Sequence, residues 1–218
     1  MDTSWLGHRR DVVVVDGPDA ASYLQSQVSQ DLHGMSVGES RWTFLLQPTG
    51  RVDVFARLTM LGDERFELDT DPGFGAVLEA RLNRFKIRVK ATIGLLGGAA
   101  DASADATDDV DDDARIAAGW PKMGAEIVPG ETIPAETGLG EVAISFTKGC
   151  YPGQELVERM DSRGSTAPRS LSVLQRHPDD APGASVTSDG VEIGTITSVG
   201  STQVLAYVKR AHLGATRR

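Results

Sequence analysis

Cys150, the single cysteine of the chain, lies in the segment Lys148-Gly149-Cys150-Tyr151-Pro152-Gly153-Gln154-Glu155, with Arg159 and then Arg163-Gly164 behind it. Residues 141–146 predict a strand and residues 153–160 a short helix, which places the thiol in the turn between them. Unpaired N–H groups and the dipole at a helix N-terminus favour negative charge, and the Lys148 ammonium two residues away adds a cation. Both effects raise the thiolate fraction, the form that attacks electrophiles and binds metals. A free cysteine is also commonly a small buried apolar residue, and residue types alone leave both readings open.

Glu155 falls in the first turn of that helix, and Arg159, four residues on, shares its face. One reading is a surface ion pair worth about 0.3–0.5 kcal/mol. The other is a carboxylate fixed near a cleft, whose two oxygens accept parallel N–H bonds from a planar heterocycle. Arg163-Gly164 then closes the helix with a charge and a left-handed glycine.

What must position these groups is read from the rest of the 218 residues. At 40% hydrophobic content the chain is long enough to bury a substantial core. One cysteine excludes an internal disulfide and an iron–sulfur cluster held by four cysteines of one chain. No stretch approaches the roughly 18 uninterrupted apolar residues of a membrane span, and residues 1–15 lack the apolar run of a secretory signal. The expectation is a cytoplasmic protein with no membrane partner.

The net charge is −9, but seven aspartates fall within residues 97–114, and subtracting them leaves −2 for the remainder. That tract, rich in Ala, Asp and Gly, reads as a solvated connector; it lacks the ligand spacing of a hard-cation loop, so no metal site is expected. Before it, residues 11–15 predict a strand, 19–32 a helix, 40–47, 51–61 and 65–69 three antiparallel strands, 72–84 a second helix and 85–93 a further strand. This β-α-β-β-β-α-β order implies an α+β sheet covered by helices on one side. The 85–93 segment alternates Phe85, Ile87 and Val89 against Lys86, Arg88 and Lys90, and with Arg81 and Arg84 makes a face of five cations. Such a face is either merely solvated or collects anions, a polyglutamate chain or RNA phosphates. Only Phe85 could stack a base there, and it alternates to the opposite side, so direct nucleic-acid binding is not expected. After the connector, residues 115–168 form a second α+β part. Apolar runs at 171–174, 191–196 and 204–208 mark residues 169–218 as a small β-barrel-like module.

The signature 148–155 resembles that of the YgfZ-type folate-binding proteins, relatives of the aminomethyltransferase of the glycine cleavage system. Val14-Val15-Asp16-Gly17-Pro18-Asp19-Ala20, Leu45-Leu46-Gln47-Pro48-Thr49-Gly50-Arg51-Val52 and Ile133-Pro134-Ala135-Glu136 are similar to further family segments, in the same order. The resemblance implies antiparallel sheets with covering helices around a central folate cleft, residues 1–96 being the folate-binding part. It implies tetrahydrofolate or a one-carbon derivative as cofactor, and iron–sulfur client enzymes as partners, a tRNA-modifying one among them. Cys150 and Lys148 match the residues the family associates with activity. Glu155 is expected to hold the pterin, with Tyr151, Gln154, Arg159 and Arg163 around it. Where the aminomethyltransferases carry a second, catalytic aspartate after the hairpin turn, this chain has Asp53-Val54. The expected role is therefore that of an accessory factor; a folate-dependent aminomethyl- or methyltransferase is the alternative. With the middle of the chain reduced to the acidic tract, the cleft is expected to be less enclosed, or completed by another chain.

Overall fold

A computed structural model describes residues 9–96, 111–162 and 167–214. Its first sheet is built from β1 (Asp11–Asp16), β2 (Ser40–Leu46), β3 (Val52–Gly62), β4 (Arg65–Thr70) and β5 (Thr92–Leu96), in the antiparallel order β2-β3-β4-β1-β5. Two helices join these strands, α1 (Ala20–Gln27) and α2 (Gly75–Arg84). Alternation along the strands sorts side chains to the two faces. Val13, Val15, Val54, Ala56 and Leu58 pack with Leu24, Leu78 and Leu82 of the helices. Phe44, Leu46, Val52 and Phe55 instead meet Trp120, Met123, Ile127, Ile144 and Val157 from later in the chain. The sheet is thus enclosed on both faces, and the second layer carries the signature.

The α+β architecture is as expected, but three local expectations fail. Residues 85–91 form no strand: α2 ends at Arg84, Arg88 takes a left-handed φ of 56°, and Ile87 is 77% exposed. Strict alternation imitated a strand there, while the strand that pairs with β1 is Thr92–Leu96, one element further on. The first helix stops at Gln27 rather than 32, because Val28 is extended and bridges to Leu45. Residues 141–146 begin as a short helix, α4 (Gly140–Ala143); a brief apolar run is ambiguous between the two states.

Residues 97–110 of the acidic tract lie outside the described residues. Its last positions are not connector: Asp111 caps α3 (Asp112–Ala117) by accepting from the Ala114 N–H at 3.0 Å, and Asp113 accepts from Ser201. That helix delivers Arg115, fully buried, to the Trp120 carbonyl, Glu126 and the Ser198 hydroxyl. Asp111→Ala should therefore lower the urea midpoint by the equivalent of about 1 kcal/mol, the usual cost of a lost N-cap. An unchanged midpoint would show that α3 is held by its buried arginine alone.

Arg115 ties the core to a second sheet, β6 (Arg169–Gln175), β7 (Ser185–Ser188), β8 (Val191–Val199) and β9 (Gln203–Lys209), in the antiparallel order β6-β9-β8-β7. Three of these strands were the predicted apolar runs. β7 escaped notice because Ser-Val-Thr-Ser offers a single apolar side chain.

Candidate functional site

The thiol turn leads into α5 (Gln154–Ser162). Gly153 has φ +82°, and a side chain there would stand 2.5 Å from the Gln47 carbonyl oxygen and 2.9 Å from the Gly50 Cα. Gly50, φ +82°, in turn lies against Leu156, where a Cβ would come within 2.4 Å of that side chain. The two glycines let the start of α5 pack directly on the turn between β2 and β3.

Lys148 fixes the other side of the turn. It is buried, and its Nζ donates to the carbonyls of Gln25, Val28 and Gln30 at 2.7, 2.6 and 2.9 Å. All three ammonium protons are used at the C-terminal end of α1, where the helix leaves carbonyls without intrahelical donors. Burial pushes this lysine down to about 8, against a smaller opposing effect from Asp31. The Tyr151 ring lies 5.3 Å below the ammonium; it is buried as well, and its hydroxyl is pushed up to about 12 by burial and then by Glu158. Between these anchors Gly149 and Cys150 are exposed, so the buried reading of the thiol does not hold.

Glu155 and Arg159 are both exposed, and among the described residues no ion pair joins them. Gln154 donates to Glu158 at 2.6 Å. Arg163 lies outside the described residues. The opposite side of α5 borders a cavity of about 480 Å³, walled by Ile133, Pro134, Phe146, Leu156, Val157 and Met160. Neither Cys150 nor Glu155 lines it. Among the described residues, no group of three or more His, Cys, Asp and Glu side chains gathers as a metal site would require.

The position expected to lack a catalytic carboxylate is occupied by an apolar side chain of the core. Val54 is wholly buried, and Asp53 accepts from Gln47 Nε2 at 2.8 Å and lies 3.1 Å from Arg81 Nε. Arg81 was counted with the surface cations, yet it is 5% exposed, donates to Gln27 Oε1 and the Leu46 carbonyl, and lies over the Phe85 ring. Its spacing to Leu78 and Leu82 already placed it on the buried face of α2, a signal outweighed by the basic run that follows. Arg84, Arg88 and Lys90 are the exposed cations of that run, and Lys86 is half-buried.

The fold is aminomethyltransferase-like. No family model matches the chain. Aminomethyltransferase T of Bartonella henselae superposes with a TM-score of 0.76 over 94% of this chain and 77% of that one, at 17% identity, which shows a common fold. An aminomethyltransferase of Nostoc is 29% identical over 199 residues, 90% of this chain and 47% of its own. A Neurospora crassa protein described as a mitochondrial homolog of the iron–sulfur cluster assembly factor IBA57 is 25% identical over 243 aligned residues, 83% of this chain and 55% of its own. The chain spans about half the length of these two relatives. As the resemblance of the signature predicted, the chain is similar both to aminomethyltransferases and to iron–sulfur cluster assembly factors. No helix among the described residues is long and apolar enough to cross a membrane.

Proposed function

We propose that the protein is a tetrahydrofolate-binding accessory factor for the assembly or repair of iron–sulfur enzymes, a tRNA-modifying one among its clients, with Cys150 as the working thiol. The observation that carries this reading is an exposed cysteine presented at the mouth of a helix by a turn anchored on both sides. A thiol so placed can supply one sulfur ligand to iron while the client, or a second chain, supplies the others. The relatives described as iron–sulfur cluster assembly factors support the same reading.

Aminomethyl transfer fits the residues less well. Transfer of a one-carbon unit needs a group to move a proton, and around the hairpin turn Asp53 is committed to Arg81 while Val54 offers none. Tetrahydrofolate, when bound, would supply a one-carbon unit. Glu155, on α5 and without an ion pair among the described residues, is a carboxylate suited to its donor-rich ring edge.

Cys150→Ser should leave the melting temperature unchanged, since the side chain is exposed, and should abolish rescue of iron–sulfur enzyme activity in cells lacking their own factor. Full rescue by the serine variant would remove the thiol from the function. Native Cys150 should also alkylate with iodoacetamide without prior unfolding.

A further inference from the structure

The loop after α2 belongs neither to the sheet nor to the signature turn. Its alternation would set Phe85, Ile87 and Val89 on one face, yet only two of them turn inward. Phe85 is half-buried under Arg81 and Arg84, and Val89 packs against the cluster that holds Leu24, Leu78 and Leu82. Arg88, at a left-handed φ of 56°, interrupts the alternation, and Ile87 stands 77% exposed. Such a φ is strained for arginine and persists only where the surroundings hold it. Here the Ile87 N–H donates to the Phe85 carbonyl at 3.1 Å, the Lys90 N–H donates to Asp19 Oδ2 at 2.7 Å, and the Lys90 carbonyl accepts from the Asp19 N–H at 3.3 Å. Gly17 closes the anchor, because a side chain there would stand 2.5 Å from the Lys90 carbonyl oxygen. The loop is thus held in a shape that offers an apolar side chain to solvent.

Flanking Ile87 in the chain are Arg84, Lys86, Arg88 and Lys90, and among the described residues no carboxylate pairs with any of them. On a chain of net charge −9, these unneutralised cations draw anions to one place while the rest of the surface on average repels them. Phosphates or carboxylates alone give Ile87 no apolar partner. A flat bilayer or a nucleic-acid duplex also meets the β3–β4 turn, whose exposed Asp63 and Glu64 lie beside the loop's anchor, since the Gly17 N–H donates to the Glu64 carbonyl at 2.8 Å. A narrow chain carrying carboxylates and an apolar residue satisfies both features. We propose that residues 84–90 form a docking surface for an acidic segment of a partner protein, which pairs its carboxylates with Arg84, Arg88 and Lys90 and covers Ile87 with an apolar side chain. This stands independently of the folate and thiol readings.

The test is fluorescence anisotropy with a labelled oligoglutamate peptide that has a central leucine, and with the same peptide carrying glycine in that place. The native chain should bind the leucine peptide, roughly tenfold more weakly in about 0.5 M salt than in about 0.05 M. Arg88→Gln together with Lys90→Gln should weaken binding by roughly tenfold. Ile87→Ser should weaken the leucine peptide by roughly fivefold and leave the glycine peptide unaffected. Arg176→Gln, which removes an exposed cation just past β6, should change neither. All four side chains are exposed, so melting temperatures should stay near that of the native chain. A loss with Arg176→Gln equal to that of the loop variants would reduce the contact to net charge and overturn the proposal, as would a native chain that leaves the peptide free. Binding of phosphatidylserine vesicles or single-stranded RNA in preference to the peptide would assign the loop to those partners and overturn it as well.

Discussion

Lys148→Met is expected to destabilise the protein by roughly 3 kcal/mol, although methionine keeps much of the apolar bulk. The substitution leaves the carbonyls of Gln25, Val28 and Gln30 without their shared donor inside the protein. The bond to Val28 is buried and the other two are partly so; a buried orphan costs about 1–3 kcal/mol, offset in part because an ammonium no longer has to be desolvated. A lysine acting only through its field on the thiol would predict the reverse pattern, unchanged stability with slower alkylation of Cys150. Denaturation and alkylation on the same variant separate the two.

The pH dependence supplies an independent check. The unfolded chain holds the Lys148 proton up to about 10.5, the folded chain only to about 8, so between these values the unfolded state binds more protons. Native stability should therefore climb as pH rises through this window, by at most about 3 kcal/mol at 1.36 kcal/mol per unit, and by less to the extent that the carbonyl oxygens retain the proton. Lys148→Met should lack the climb. A native protein that loses stability over the same window, relative to the variant, would overturn the assignment of burial as the dominant cause.

Gly153→Ala should cost a similar or larger amount, about 3 kcal/mol or more, for two separate reasons. A φ of +82° is strained for alanine, and the added Cβ meets backbone atoms of Gln47 and Gly50, which cannot rotate away as a side chain could. Gly149→Ala is the control, because nothing lies within 4 Å of a Cβ at that position and its φ is not in the left-handed region. The two alanine variants should differ sharply in urea midpoint. Equal midpoints would show that α5 can shift off the hairpin turn at little cost.

Much of this was legible in the residues. Turn-forming Pro48-Thr49-Gly50 and Gly62-Asp63 delimited β2, β3 and β4 to within a residue or two, and the helix expected over 153–160 is α5. What escaped was set by distant parts of the chain. The partners of Lys148 lie 118 to 123 residues away, so local sequence showed a cation beside a thiol and nothing of the carbonyls that hold it. The 85–91 segment had the period of a strand but no free edge to join, since Thr92–Leu96 takes the edge of β1. The cavity is assembled from residues 133–146 and 156–161, a juxtaposition that no periodicity reports.

The contact of Gly50 and Gly153 with α5 and the hairpin turn also limits kinematics. A thiol on a long loop could sweep an arc and seek its target; the turn that carries Sγ here is held to the sheet through the hairpin on one side and to α1 through Lys148 on the other. An iron centre that took this thiolate as a ligand, as proposed, would have to come to it. A ligand held in this way would favour iron centres that protrude over ones already sunk within a finished fold. Timing then becomes part of specificity: a client would be met while its metal pocket still gapes, before closure withdraws the target from reach.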